Sequence, residues 1–159
     1  MKRIIVFITI LLVNSSFAQS RMNMHQLVNY LFDAMNQHNA VAIAQLYAEN
    51  AEIESPNWEG IKKGAASAQE IYSRYFTSSP DLKYIITGIY IDSATVIVEY
   101  TSDGTMSQIE ANTPKYMLGK HYTLKNITRL QIVNEKIIRS VTYFDQVAFL
   151  RQVGFFDQK

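Results

Sequence analysis

The sequence predicts an α+β domain in which a curved antiparallel sheet is covered on one face by the helices that precede it. The first half of the chain carries apolar residues at helical spacing, and the second half alternates apolar and polar residues with a period of two. The closing stretch, 141–154, changes directly from a strand into a short helix. With 159 residues, 48% of them apolar, the chain is long enough for one domain with one sizeable core.

Residues 1–18 are expected to be a signal peptide, and residues 19–159 a single domain. Lys2 and Arg3 give a basic start, an apolar run follows, and Ser16 and Ala18 are the small residues typical of a cleavage site. A run of about ten apolar residues is too short to cross a bilayer, which needs about 20. We therefore expect an exported protein, periplasmic or secreted, with an uncleaved anchor as the alternative.

Composition and charge argue against several classes of partner. The chain has no cysteine, so the fold depends on its apolar core and not on disulfides. Removing Lys2 and Arg3 from the 15 basic residues leaves 13 against 14 acidic ones, and no run of charge predicts binding to nucleic acid or to a membrane after cleavage. Ten Tyr, eight Phe and one Trp either fill a core or line a pocket.

Three helices are expected in the first half. Asn39 interrupts the first helix and caps a second one, Ala40–Ala48. A short strand, Ala51–Ser55, and a loop carrying Trp58 then lead to a third helix, Ala65–Thr77. The first helix is predicted from the spacing of six apolar residues: Met24, Leu27, Val28, Leu31, Phe32 and Met35.

The second half is predicted to consist of two hairpins. Short turns at 92–93 and 134–135 join the strands in pairs, and a looser stretch at 108–118 separates the pairs. Asp145 is expected to cap the closing helix and Gly154 to end it. The four strands are expected at Leu82–Ile91, Thr95–Ser107, Gly119–Val133 and Lys136–Phe144.

The order and spacing of several segments resemble one protein family. Leu46–Pro56 looks like the family segment LYA-x-D-A-x-x-x-D-P, and Pro80–Leu82 opens a hairpin at the expected place. Four further segments resemble the last two strands and the terminal helix: Gly119-Lys120, Glu135–Ile137, Tyr143–Asp145 and Leu150–Gly154. Over about Met24–Gly154 the chain is similar to the SnoaL-like polyketide cyclase branch of the nuclear-transport-factor-2-like (NTF2-like) superfamily.

The resemblance implies a cone-shaped half-barrel: a curved antiparallel sheet wrapped around three N-terminal helices, with a short C-terminal helix. It also implies an apolar pocket and, often, a homodimer formed through the outer face of the sheet. Members of the superfamily include polyketide cyclases, steroid isomerases, dehydratases and proteins that only bind. The fold therefore does not define the function.

Both carboxylates that the resemblance would supply are replaced. The acid that takes a proton in steroid isomerases corresponds to Ser55, and the first acid of the last strand in the cyclases corresponds to Thr142. A serine hydroxyl is no base near neutral pH without an activating partner. Glu54 is adjacent, but neighbouring side chains on a strand point to opposite faces. Asp145 matches the second acid of the cyclases, although a helix cap is its expected role.

The histidines provide one candidate acid/base and no metal site. His25 and His38, near the two ends of the first helix, are expected to be surface or cap residues. His121, near the expected pocket mouth, is the candidate. A metal site needs three or four convergent ligands, which scattered histidines do not predict. No phosphate loop or nucleotide motif predicts a cofactor.

Aromatic residues are the first candidates for ligand contact. Tyr30, at the edge of the first helix's apolar stripe, either donates to an oxyanion or is a core tyrosine. Trp58 is either a lid over the pocket or a plug on the core. Tyr72, Phe76 and Tyr100 either fill the core or contact the ligand.

Polar residues on an inward strand face are the second candidates. Asn126 and Thr128 interrupt an apolar alternation, and such groups are costly unless paired, so they bond each other or serve a ligand. Asn126 and Thr142 are expected to be neighbours across the last hairpin, forming a polar patch on the pocket wall. The alternative is a solvated or bulged position.

Three functions follow from these residues. The leading hypothesis is non-catalytic or weakly catalytic binding of a small hydrophobic molecule, with Trp58 as lid and Asn126 and Thr142 as orienting groups. The second is an enzyme of the cyclase, isomerase or dehydratase kind, using general acid/base chemistry. It would use His121 or Glu54 as base, with Tyr30 as donor to the oxyanion. The third is a structural dimer module whose interior is filled by aromatic side chains.

Overall fold

The computed structural model of the protein describes residues 22–108 and 113–158. The expected signal peptide lies outside the described residues, and so does 109–112. The helices are α1 (Met24–Asn36), α2 (Ala40–Leu46), α3 (Gly64–Ser78) and α4 (Gln146–Gln152), with single 3-10 turns at Lys115–Met117 and Phe155–Asp157. The strands are β1 (Tyr47–Glu54), β2 (Lys62–Lys63), β3 (Lys83–Asp92), β4 (Thr95–Thr105), β5 (His121–Val133) and β6 (Lys136–Phe144).

The α+β half-barrel predicted from the sequence is confirmed. All six described strands form one sheet in the order β2-β1-β6-β5-β4-β3. The prediction of a wholly antiparallel sheet is wrong at one place, because β1 pairs with β6 in parallel. No hairpin joins these two strands, since α3 and the strands β3, β4 and β5 lie between them along the chain. The sheet is therefore mixed.

The largest error in element boundaries concerns the junction of α2 and β1. The helix was expected to continue to Ala48 and the strand to begin at Ala51, but the strand begins at Tyr47. Tyr47 pairs with Ile137 of β6, so pairing with a distant strand ends the helix early. The loop expected between Pro56 and Gly64 likewise contains β2, which pairs with β1.

Three residues expected at helix ends have the predicted roles: Asn39, Asp145 and Gly154. Asn23 and Gln26 form a capping box at the start of α1, and Asn39 caps α2. The Asp145 carboxylate accepts a hydrogen bond from the backbone N–H of Ala148 at 2.9 Å, which makes it the cap of α4. Gly154 follows α4 with a φ of 82°, the left-handed conformation that glycine adopts without strain.

The inner face of the sheet changes character along β4 and β5. In the packed half, which we define by Val96, Val98, Leu130 and Ile132, the inward residues are aliphatic and buried against the helices. In the open half, they are aromatic or polar apart from Leu124: Tyr100, Ser102, Tyr122, Asn126 and Thr128. The Phe32 ring of α1 meets Tyr100 edge to face at 5.0 Å, close to the boundary between the two halves.

The outer face of the sheet exposes several apolar side chains. Outward and inward side chains alternate along each strand, because a strand has a period of two residues. The exposed members of the outer face include Ile85, Tyr90, Ile97, Ile127 and Tyr143. None of the helices within 22–108 and 113–158 is long and apolar enough to cross a membrane.

Candidate functional site

A cavity of about 350 Å³ lies between the open half of the sheet, β1, α3 and α4. Its volume falls in the range of about 300–1,000 Å³ that is typical of small-molecule sites. Three exposed residues of its wall, Asn57, Arg74 and Pro114, mark its opening. The structural-module hypothesis requires an interior filled by side chains, and the described interior contains an open cavity instead.

Hydroxyl groups cover much of the cavity wall. The resemblance implied an apolar pocket, and the structure corrects this to a wall of mixed character, because many of its aromatic residues are tyrosines. Six tyrosines line it: Tyr47, Tyr72, Tyr75, Tyr84, Tyr100 and Tyr122. Smaller polar residues complete the polar part: Ser55, Asn57, Ser78, Ser79, Ser102, Thr113, Asn126, Ser140 and Thr142.

One group of hydroxyls joins β1, α3 and β6. The hydroxyl of Tyr47 neighbours those of Tyr72 and Ser140, and its interaction with both opposes the effect of burial on its pKa. Burial raises the pKa of Tyr47, and it raises the pKa of Tyr72 well above the ordinary value. Both residues therefore remain neutral phenols near pH 7 and offer hydrogen bonds without charge.

A second group joins β4, β5 and β6. The Tyr100 and Thr128 hydroxyls lie 3.1 Å apart, and those of Thr128 and Thr142 lie 2.8 Å apart. Burial raises the pKa of Tyr100 to about 12, against the opposing effect of its bond to Thr128. The Asn126 amide nitrogen donates to Ser102 Oγ and to the Leu124 carbonyl, each at 3.0 Å.

The expected pairing of Asn126 with Thr142 is not observed. Thr128 lies directly opposite Thr142 in the register of β5 and β6, and Asn126 lies opposite Phe144. Asn126 and Thr128 do not bond each other either, because both point inward at different levels of β5 and each has its own partner on a neighbouring strand. Asn126 and Thr142 nevertheless both line the cavity.

Trp58 lines the cavity from the loop after β1. Its side chain is partly buried against the core, and its loop is held by Asn57, whose amide donates to the Tyr75 hydroxyl at 2.7 Å. The Trp58 indole nitrogen is buried and has no hydrogen-bond partner. Further inside, the Tyr122 hydroxyl donates to Ser79 Oγ at 3.1 Å.

Charged groups are scarce on the described part of the wall. It contains no histidine, and its charged residues are Glu54 and Arg74. The Glu54 carboxylate accepts a hydrogen bond from the Arg139 guanidinium at 2.6 Å. This bond holds the carboxylate in an ion pair beside Ser55, the position where an isomerase would carry its base.

Two candidate catalytic residues lie outside the cavity. His121 begins β5 on the outward side, where its imidazole contacts the Asp103 carboxylate at 3.2 Å and Thr105 Oγ1 at 3.3 Å. Tyr30 is 45% exposed, because it lies opposite the buried stripe of α1. Neither side chain is placed where it could act on a ligand in the cavity.

The other candidates divide between the cavity and the core. Tyr72 and Tyr100 line the cavity, whereas Phe76 does not and is stacked on the His38 ring at 4.5 Å. His38, expected at the surface or as a cap, is partly buried and bonds the Leu82 carbonyl at 2.8 Å through Nε2. It therefore ties the α1–α2 junction to the start of β3. His25 is exposed.

Several lining residues were not predicted from the sequence: Tyr47, Tyr75, Tyr84, Tyr122, Ser102 and Ser140. For Ser102 and Ser140 a signal was available, because each is a polar residue at an inward position of a strand, as Asn126 is. For the tyrosines no such signal exists, since a buried ring suits the core equally well. Residues 22–108 and 113–158 hold no group of three or more His, Asp or Glu side chains able to bind a metal ion.

Helices folded against a curved sheet with a cavity between them define an NTF2-like domain. Residues 28–140 match the family model of the SnoaL-like domain, and the chain belongs to this family. The suspected resemblance is thereby confirmed. No curated protein matches the chain.

Solved structures show the same fold at low sequence identity. A SnoaL-like proposed polyketide cyclase from Jannaschia sp. CCS1 is 14% identical, with a TM-score of 0.71 over 81% of this chain and 90% of that one. A protein with a ketosteroid isomerase-like fold from Catenulispora acidiphila, in complex with trimethylamine, is 18% identical, with a TM-score of 0.67 over 81% and 92%. TerC, co-crystallised with polyporic acid, is 16% identical, with a TM-score of 0.66 over 81% and 95%.

Proposed function

We propose that the protein binds a small uncharged molecule in its cavity without general acid/base catalysis. The observation that carries the proposal is a cavity of about 350 Å³ walled by apolar side chains and by neutral, mutually bonded hydroxyls. Apolar surface favours burial of a ligand, and a few placed polar groups orient it. The ligand is thus less purely hydrophobic than the sequence alone predicted.

Related folds support a small ligand. The Catenulispora acidiphila protein was crystallised with trimethylamine and TerC with polyporic acid, so the fold accommodates compounds of different size and chemistry. Their identity to this chain is too low to transfer either compound. The ligand class must therefore come from the wall of this cavity.

Binding of Nile red, an uncharged fluorescent dye, tests the proposal. Thr142→Phe introduces a ring into the cavity and should abolish the binding seen with the native protein. Thr101→Phe, on the outer face of β4 opposite Ile85, is the matched control and should leave binding unchanged. Equal binding by native protein and Thr142→Phe would place the dye elsewhere and contradict the proposal.

A second candidate function is an enzyme that removes a proton next to a carbonyl. The observation that favours it is the presence of Glu54 among the wall residues, beside Ser55. Deuterium exchange into β-tetralone, followed by NMR, measures this reaction without knowledge of the natural substrate. Exchange accelerated by the native protein and lost in Glu54→Gln would establish the enzyme; the binding proposal predicts no acceleration by either.

The outer face of the sheet suits a homodimer. Glu99 and Arg129 lie among its exposed apolar residues, in register with Ile127 and Ile97 respectively. A two-fold axis through this face would allow Glu99 of one copy to meet Arg129 of the other. Ile127→Glu should then halve the mass measured by light scattering, while Val41→Glu, at an exposed aliphatic residue of α2, should not.

Export is part of the proposed function. The basic start, the apolar run and the small residues before Gln19 support cleavage after Ala18 and release into a periplasm or the medium. The intact mass of the protein made with its leader in an exporting bacterium tests this. A chain beginning at Gln19 supports export, and one that retains Met1 in the cytoplasm contradicts it.

A further inference from the structure

Two short turns on the surface bring four apolar side chains together. Phe155 and Phe156, in the 3-10 turn after α4, are 46% and 58% exposed, and Leu118 is 52% exposed. Tyr116 links the two turns, because its ring lies 6.4 Å from that of Phe155, edge to face. We call these four residues the rim patch.

The rim patch is continuous with the opening of the cavity. Pro114, which marks the opening, directly precedes the 3-10 turn Lys115–Met117, and the buried Met117 side chain lines the cavity. Phe149 of α4 lines the same cavity. Both segments of the patch therefore continue outward from elements that form the cavity wall.

The size and composition of the rim patch favour lipid over protein as its partner. Its four side chains are far fewer than the about 20–30 residues that each partner contributes to a specific protein interface. Contiguous exposed apolar side chains nevertheless mark a binding surface. Two adjacent phenylalanines on a projecting turn suit shallow insertion at a membrane surface, where aromatic rings are favoured between water and hydrocarbon.

The charge around the rim patch complements anionic lipid. The segments 113–120 and 151–158 contain three basic residues and one acidic residue, all exposed: Lys115, Lys120, Arg151 and Asp157. The Lys120 side chain lies against Gly154, directly before the two phenylalanines. These basic residues form no run in the sequence, so the sequence alone predicted no membrane partner. Folding brings the two segments together, and basic residues near a membrane surface are attracted to anionic headgroups.

We propose that the rim patch docks the protein on a phospholipid surface that carries anionic headgroups, with Phe155 and Phe156 inserted among them. The inference goes beyond the proposed function, because docking needs no ligand in the cavity. Docking by this surface places the cavity opening, at Pro114, next to the lipid.

Sedimentation of the protein from Gln19 to Lys159 with lipid vesicles tests the docking. It should bind vesicles made of equal parts of phosphatidylcholine and phosphatidylglycerol, and bind pure phosphatidylcholine less. Phe155→Ala/Phe156→Ala should lower the partition coefficient by about tenfold, because it removes the inserted rings. Tyr30→Ala, which removes an aromatic side chain of similar exposure from α1, is the matched control and should bind as the native protein does.

Charge variants separate electrostatic attraction from insertion. Lys115→Gln/Arg151→Gln should weaken binding to the mixed vesicles roughly fivefold per charge removed, and should leave binding to pure phosphatidylcholine nearly unchanged. Lys62→Gln/Lys63→Gln removes the same charge from two exposed residues of β2 and should have little effect. Equal losses for the two charge variants would show that net charge and not the rim patch attracts the protein.

Three other results would overturn the proposal. Native protein could stay in the supernatant with both kinds of vesicle, or the phenylalanine variant could bind as the native protein does. A phenylalanine variant of half the native mass by light scattering, from a protein that does not bind vesicles, would make the patch an interface between copies. Leu118→Ser, in the other segment of the patch, should also weaken binding and replaces the phenylalanine variant if that one does not fold.

Discussion

The packed half and the open half of the sheet are built from the same two strands and differ in what their inward residues do. Leu130 and Val98, in the packed half, have no exposed surface. Thr128 and Tyr100, one inward position further along, bond each other, and beyond them Asn126 and Ser102 do the same. The alternation of the strands is unbroken, so a change of residue type and not of backbone separates core from cavity.

This difference shows that polar residues on the inward face of a strand can form the wall of a cavity. A hydroxyl in the packed half would lose its water without gaining a partner, which is costly. In the open half, Thr128 lies opposite Thr142 and bonds it across the strands. Tyr100 and Ser102 bond the diagonal neighbours Thr128 and Asn126 on β5. Stability should therefore depend on the packed half, and ligand binding on the open half.

The largest expected effect is on the free energy of unfolding. It compares the same substitution, leucine to alanine, in the packed half and the open half of β5. Leu130→Ala removes a fully buried side chain and should lower the free energy of unfolding by about 2–5 kcal/mol. Leu124→Ala, on the same face of β5 but at the cavity, should cost at least about 1 kcal/mol less, because fewer neighbours surround it. Denaturant unfolding measures both losses. Equal losses would contradict the claim that stability depends mainly on the packed half.

Alkaline pH should destabilise the fold through the tyrosines of the cavity wall. Burial raises the pKa of Tyr75 and of Tyr100 from 10.0 to about 12, so the folded protein holds these protons more tightly than the unfolded chain does. Their stabilising effect is complete below pH 10 and is lost as pH rises through the folded pKa, by an amount on the order of 3 kcal/mol per tyrosine. Tyr100→Phe removes one of these groups.

Unfolding measured from pH 9 to pH 12 checks this expectation. Native protein should lose stability steeply above pH 10, and Tyr100→Phe should lose less. A variant with the same slope as the native protein would show that Tyr100 ionises as freely when folded as when unfolded.

A smaller effect distinguishes a helix cap from a catalytic acid at Asp145. Asp145→Ala should lower the free energy of unfolding by about 1 kcal/mol, since it removes the bond to the Ala148 N–H. Asp145→Asn keeps a capping oxygen and should be close to native in stability and in Nile red binding. Loss of binding in Asp145→Asn with stability intact would assign the carboxylate a role at the ligand.

The smallest effect is expected at the ion pair of Glu54. Its carboxylate and the Arg139 guanidinium are both partly exposed, so Glu54→Gln should leave the denaturation midpoint unchanged within error. Nile red binding should also be unchanged, because the carboxylate is held by Arg139. A large change in dye affinity would show that the carboxylate faces the ligand.

Most helices and strands were predictable from local sequence patterns. Boundaries that depend on pairing with a distant strand were not. The apolar spacing of α1 and the alternation of β5 depend on neighbouring residues, and both elements were predicted to within a few residues. The start of β1 depends on Ile137, far along the chain, and was predicted wrongly. His121 and Tyr30 were misplaced for a similar reason: one position on a strand or helix decides which face a side chain occupies.

The site was predictable in part, from residues that are unusual at their positions. Asn126 interrupts an apolar alternation, Thr142 stands where the resemblance expected an acid, and Trp58 is a large ring in a loop. All three line the cavity. Their role in binding stays a prediction. The tyrosines of the wall gave no signal, because a buried phenol looks the same in a sequence whether its hydroxyl meets a protein group or a lumen.

Native mass spectrometry of the protein from Gln19 to Lys159, purified gently from its export compartment, tests the central claim most directly. It reports the mass of the oligomer and of any retained small molecule together. We predict a dimer carrying a defined extra mass that is lost on mild activation and is absent from Thr142→Phe. A native protein without added mass, which also fails to take up Nile red at saturating concentration, would contradict the claim that the cavity is a binding site.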